Sequence, residues 1–241
     1  MADFHPSPPP ADLKPRISAS YDAIALAYNS WTAKHNQFRN RYLAKLFGLC
    51  PALTATAPES GSSTTTSAAV VELGCGSGVP ILREVLAANP TTHATGIDIS
   101  TAQIALAAEN LSAYVTENRV ILRVADMASE QDVSFPDESL DAVIALWSII
   151  HLPQDEQREV IARAARWLKS GGCMLVNFGG GPSMEGIVVE KWLGEKGWMF
   201  WSSLGDDGYT RALKQACMKV VVADTVEEGT GSFFWVIAMK Q

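Results

Sequence analysis

The segment Val70-Val71-Glu72-Leu73-Gly74-Cys75-Gly76-Ser77-Gly78 constrains this chain more tightly than any other. Its apolar, β-branched start reads as a buried strand. Glycines at alternate positions then let the backbone turn sharply and lie bare beside a ligand. Pro80 follows at a position suited to the first turn of a helix. A strand that runs through a glycine loop into a helix opens a parallel sheet, whose ligands sit outside the strands' carboxyl ends. Spacing excludes two common phosphate-binding versions of this unit. A dinucleotide fingerprint would place its third glycine where Val79 stands, and no Gly-Lys-Ser/Thr follows to cradle a nucleoside triphosphate.

The same grammar repeats downstream. Short apolar runs at Ala68 to Leu73, His93 to Ile99, Arg119 to Val124, Leu140 to Leu146 and Cys173 to Phe178 are expected strands, separated mostly by helices. Ser100 and Gln103 make a capping box ahead of a helix with Ile104, Ala108, Leu111 and Val115 on one face. A second amphipathic helix over Gln154 to Lys169 is expected to stop at Gly171 and Gly172. Asp126 to Ser139 is too polar and turn-rich for a full crossover helix. Near the carboxyl end, a helix over Asp206 to Cys217 precedes Lys219 to Val226 and Ser232 to Met239, two runs spaced as an antiparallel hairpin. The expected fold is therefore α/β and Rossmann-like, with a mostly parallel seven-stranded sheet closed by that hairpin.

Upstream of the glycine loop the composition changes. Five prolines fall among the first 16 residues, so 1–17 is expected to be a flexible tail. Residues 18–50 read as a helical cap, with Tyr21, Ile24, Ala25, Tyr28 and Trp31 on one helical stripe and Tyr42, Leu43, Leu46 and Phe47 on another. Residues 51–67 are mostly Ala, Ser, Thr, Pro and Gly, the composition of a mobile linker. The remaining 68–241 form the expected core of a single domain, with 179–205 a candidate substrate lid.

Asp98 lies about 20 residues beyond the glycine loop, at the end of the second strand, where a carboxylate can accept both hydroxyls of a ribose. Glu72 would repel a pyrophosphate but attract an ammonium or sulfonium group. Together they point to S-adenosylmethionine. The ordered motifs VELGCGSG, GIDIS, ADM and FPDESLDAVIALWSIIHL, with LKSGGCMLV after them, resemble the class I S-adenosylmethionine-dependent methyltransferases, notably the small-molecule branch. The likeness runs from about Tyr21 to the carboxyl terminus. It implies that Gly74, Cys75 and Gly76 approach the methionyl and ribose portions, with Glu72 supporting the amino group. Asp98 then holds the ribose, Ile99 packs on adenine, Asp126 takes the adenine amino group, and Met127 offers its backbone N–H and an apolar contact. The backbone of Leu146 and Trp147 helps hold the methionyl amine, and Tyr21 and Tyr28 of a YD-x-x-A-x-x-Y segment cover it. His151, just past the fourth strand, is the expected general base. Trp192, Trp198, Phe200 and Trp201, clustered near Gly194 and Gly197, are the expected acceptor wall, suiting a partly aromatic or apolar small molecule.

The composition bounds the partners. A formal charge of −7 without a basic run gives no footprint for nucleic acid, and no apolar run reaches the roughly 20 residues that span a bilayer. No secretory or transit segment is evident, which points to the cytoplasm. Cys50, Cys75, Cys173 and Cys217 are scattered, so they read as buried thiols, and no metal site is expected. Two other functions use the same motifs: a cyclisation or rearrangement without methyl transfer, and a noncatalytic cofactor-binding module.

Overall fold

The computed structural model describes residues 5–54, 67–229 and 231–241. In chain order the elements are β1 (His5–Pro6), α1 (Leu13–Thr32), α2 (Asn36–Leu49), β2 (Ala69–Leu73), α3 (Ile81–Ala88), β3 (His93–Asp98), α4 (Thr101–Asn110), α5 (Ser112–Thr116), β4 (Val120–Val124) and β5 (Leu140–Ala145). They continue with α6 (Gln154–Trp167), β6 (Leu168–Gly179), β7 (Met184–Glu190), β8 (Trp198–Ser203), α7 (Asp206–Gln215), β9 (Met218–Glu228) and β10 (Gly231–Lys240). Seven strands form one sheet in the order β4-β3-β2-β5-β6-β10-β9. The first five of these are parallel, and β10 runs antiparallel to both β6 and β9, as the hairpin spacing implies. The chain moves outward from β2 through β3 to β4, then returns to the other side of β2 as β5. That reversal opens a crevice at the carboxyl ends of β2 and β5.

Both faces of the sheet are covered, which explains the nearly continuous apolar strands. Successive residues alternate between two cores. Val71, Val143, Met174 and Val236 face α6 and α7, while Val70, Ala142, Leu175 and Trp235 face α2 and α3. A third cluster sets α1 on the β7–β8 hairpin: Leu13, Ile17, Tyr21 and Ile24 meet Val189, Trp198, Met199 and Phe200. Asp126 to Ser139 holds no helix, as its composition implies.

Several boundaries need correction. α1 begins at Leu13, inside the expected tail, because Pro15 falls in the first turn where its missing N–H costs nothing. His5–Pro6 pairs with β7 instead of hanging free. Of the expected linker, Pro51–Leu53 is a helical turn with Leu53 fully buried, and 55–66 lie outside the described residues. α6 passes directly into β6 at Leu168, so Gly171 and Gly172 lie within the strand and do not cap the helix. The helix after Ser100 breaks at Leu111. Its buried side is Gln103, Ala107 and Leu111, and Ala108 and Val115 are exposed. Cys217 is exposed, and the other three cysteines are buried. Residues 179–205, the candidate lid, are chiefly the β7–β8 hairpin, joined with β1 in a three-stranded sheet. Among the described residues no helix is long and apolar enough to cross a membrane.

Candidate active site

A cavity of about 600 Å³, its solvent-open mouth included, lies at the carboxyl ends of β2, β3 and β5 under α1. One wall is bare backbone. Gly74 and Gly76 adopt φ of +78° and +53°, a left-handed conformation that glycine enters without a Cβ clash. The N–H groups of Gly74 and Cys75 both donate to the Ile97 carbonyl, at 2.7 and 2.9 Å, so the loop is tied to β3. Asp98 completes the tie: its Oδ2 accepts from Gly76 N–H at 2.8 Å and its Oδ1 from Ser100 N–H at 2.9 Å. Each oxygen keeps a lone pair for a ligand in the cavity. Burial pushes the Asp98 carboxyl up to about 6, partly offset by those backbone donors. Burial likewise holds the Glu72 carboxyl well above its ordinary range.

The cavity gathers most of the expected cofactor residues. Tyr21, Tyr28, Gly74, Gly76, Asp98, Ile99, Asp126, Met127 and Trp147 line it, and so does His151. Glu72, Cys75 and Leu146 do not. Glu72 sits within β2 with one oxygen unpartnered, Cys75 packs its side chain toward Gly96 in the core, and Leu146 is buried against the α2–α3 side. The four residues expected to wall the acceptor also lie outside the cavity lining. Trp198 and Phe200 belong to the core under α1, together with Met199 between them. Trp192 and Trp201 are half-buried and meet at 6.0 Å between ring centroids.

Lys14, Gln103 and Ser148 are lining residues that sequence reasoning missed. Lys14 reaches from α1 to Asp126 at 3.4 Å and to Glu156 at the edge of the crevice. Gln103 was read only as half of a capping box. Its N–H does take the Ser100 hydroxyl, at 3.1 Å, but its buried side-chain amide has no partner. Ser148 Oγ is also buried and unpartnered. Buried polar atoms without partners cost roughly 1–3 kcal/mol each, so their presence in a cavity fits a polar ligand. Trp147 carries φ +51°, which is rare for a bulky side chain, and its N–H donates to Asn177 Oδ1 at 2.6 Å. Such strain persists where surrounding structure enforces it, commonly at functional sites.

The hydrogen bonds of His151 define its tautomer. Nδ1 lies 2.9 Å from the Phe200 carbonyl, which can only accept, so Nδ1 carries the proton. Nε2 therefore accepts from the Tyr21 hydroxyl at 2.8 Å. Burial lowers the imidazole to about 4, keeping it neutral. Both nitrogens are thus engaged.

These residues fit S-adenosylmethionine. The Asp98 carboxylate and bare main chain face the crevice together, and Gln103 and Ser148 bring unpartnered polar atoms to it. Residues 70–172 match the family described as "Methyltransferase domain". A 27-O-demethylrifamycin SV methyltransferase from Amycolatopsis mediterranei is 31% identical over 163 residues, covering 67% of this chain and 57% of that protein. The chain thus spans little more than half the length of that relative. A crystal structure of magnesium protoporphyrin IX methyltransferase from Synechocystis PCC 6803 with bound S-adenosylmethionine shares the fold. Its TM-score is 0.67 at 14% identity, covering 98% of this chain and 100% of that one. A (4+2)-cyclase, SpnF, shares it equally, with a TM-score of 0.67 at 16% identity and coverage of 98% and 99%. The sheet order, the glycine loop tied to Asp98 and the matched domain place this chain in the class I S-adenosylmethionine-dependent methyltransferase family.

Proposed function

We propose that this protein transfers the methyl group of S-adenosylmethionine to an oxygen, nitrogen or sulfur of a small, partly aromatic or apolar acceptor by in-line displacement. The observation that carries the reading is the crevice in which the bare Gly74–Gly76 backbone and the Asp98 carboxylate face one ligand position. When bound there, the cofactor supplies a methyl group made electrophilic by its sulfonium. The chain supplies position and dryness: Asp98 takes the ribose hydroxyls, Ile99 and Met127 flank adenine, Asp126 accepts its amino group, and α1 covers the tail. Fixing two reactants in line can contribute about 7–11 kcal/mol toward the barrier. Neutral His151 orients the Tyr21 hydroxyl toward the methionyl end and acts as a positioning residue, since its basic nitrogen is already occupied.

Calorimetry with S-adenosylhomocysteine tests the site, and incubation with methyl-labelled cofactor and a metabolite extract tests the reaction. Saturable binding at one site and a labelled product heavier by one methylene equivalent are expected. Binding accompanied by an isomerised, unlabelled product would instead favour a cyclisation or rearrangement, a reading to which the likeness to SpnF gives a specific reason. Binding without turnover on any acceptor would favour a noncatalytic module.

A further inference from the structure

Gln103 sits in the first turn of α4, 1% exposed, and lines the crevice, yet neither its Oε1 nor its Nε2 has a hydrogen-bond partner among the described residues. A buried glutamine kept for structure looks different in this same chain. Gln157, fully buried in α6, donates from Nε2 to the Leu152 carbonyl at 2.8 Å and to Ser202 Oγ at 2.7 Å, and its Oε1 accepts from the Tyr209 hydroxyl at 2.6 Å. Both ends of that amide are spent within the fold. Those of Gln103 are not, although Ala107 and Leu111, the next buried residues on that side, are apolar. A leucine or methionine at 103 would continue that side and strand no polar atom. An amide in such a place calls for a polar ligand.

Its position selects the part of the ligand it meets. Ser100 anchors Gln103 and Asp98 together: its N–H donates to Asp98 Oδ1 at 2.9 Å, and its Oγ accepts from Gln103 N–H at 3.1 Å. Gly76 joins the same two residues from the other side. Its N–H donates to Asp98 Oδ2 at 2.8 Å. Gln103 Oε1, at 3.8 Å, is the one described atom beyond the chain neighbours of Gly76 within 4 Å of where a Cβ on that glycine would stand. Carboxylate and amide therefore flank one point of the glycine loop.

The two groups are chemically complementary. An ionised Asp98 can only accept, and the Gly76 and Ser100 N–H groups beside it are already given to it. A hydroxyl that donates to Asp98 thus needs another donor for its own lone pairs. Gln103 Nε2 supplies one, with an acceptor beside it in Oε1. Two uncharged parts of S-adenosylmethionine carry donor and acceptor side by side, the adenine amino edge and the ribose diol. Gln103 shares its anchors with Asp98 and not with Asp126, which selects the diol.

We infer that Gln103 is a second ribose-binding residue: its Nε2 donates to a hydroxyl oxygen whose proton goes to Asp98, which makes the crevice selective for an intact vicinal diol. The inference rests on the cofactor reading of the crevice.

Calorimetry on the full chain with S-adenosylhomocysteine, its 2′-deoxy and 3′-deoxy analogues and S-inosylhomocysteine tests it. Gln103→Met replaces the amide by an apolar chain of similar volume and helix preference. The variant should bind S-adenosylhomocysteine about tenfold more weakly. The parent should prefer S-adenosylhomocysteine to both deoxy analogues, and Gln103→Met should shrink that preference severalfold for at least one of them, because it no longer donates to the missing hydroxyl. The preference over S-inosylhomocysteine, whose base lacks the amino group, should stay as in the parent. Unchanged affinity, or an equal loss on all four ligands, would overturn the inference. So would a preference that collapses only toward S-inosylhomocysteine, since the amide would then read the base. Should Gln103→Met fail to fold, Gln103→Ala is read in the same way. A parent that binds none of the four refutes the cofactor reading itself, whereas a parent that binds S-adenosylhomocysteine beside a variant with unaltered preferences refutes only the role of Gln103.

Discussion

Asp98 is buried, yet it is most useful ionised. Burial raises its carboxyl to about 6. A group whose folded value lies above the unfolded one destabilises the fold as it ionises, so its contribution worsens as pH rises from about 4 to 6. Two ribose hydroxyls can both donate only to the carboxylate. Affinity for S-adenosylhomocysteine should therefore be level above pH about 6 and weaken below it, by up to about tenfold per pH unit. Calorimetry across pH 5–8 checks this, and a flat profile would contradict it. Asp98→Ala should cost about 1–3 kcal/mol of cofactor affinity. His151→Gln should lower kcat with little change in cofactor affinity and leave the pH profile in place, because the residue acts through Tyr21; a displaced pH limb would reinstate it as the base. Asp98 and Asp126 were legible in the sequence because each follows a strand end. Lys14, Gln103 and Ser148 were not, since one polar residue on a helix or after a strand carries no spacing signal.

At the scale of elements, α1 is the part that covers the crevice. It is fastened across the end of β3 by side chains. Ser18 Oγ donates to the Ile99 carbonyl at 3.0 Å, and Asp22 Oδ1 accepts from Ser100 Oγ at 2.6 Å and from Ala102 N–H at 2.9 Å. Asp22 thereby joins Ser100 in capping α4, as an acidic group near a helix amino terminus should. Asp22→Ala should release this latch at a cost of about 1–2 kcal/mol, seen as faster hydrogen exchange in α1 and faster cofactor dissociation. Unchanged exchange would remove Asp22 from that role. The sheet strands were readable because burial on both faces makes them continuous apolar runs. The β7–β8 hairpin was not, because its inward residues are recognisable only once Leu13, Ile17 and Tyr21 supply the opposing face.

Across the whole molecule, a doubly covered sheet forms the platform and α1 of the cap contributes Lys14, Ile17, Tyr21 and Tyr28 to the crevice. The mostly parallel seven-stranded sheet with its closing hairpin followed from the glycine loop, the alternation of strands and helices and the spacing of the last two runs. The packing of α1 on the β7–β8 hairpin did not, because it joins segments far apart in the chain. Ligand binding should stabilise this assembly by mass action: S-adenosylhomocysteine at about 100 times its Kd should add about 2.7 kcal/mol to unfolding. The most direct measurement is a crystal structure of the complex with S-adenosylhomocysteine. The adenosine is expected across the ends of β2 and β3, with both ribose hydroxyls within hydrogen-bond distance of Asp98 and the homocysteine tail over Gly74 and Gly76 beneath Tyr21. Ligand bound on another surface, with that crevice closed by protein side chains, would contradict the assignment.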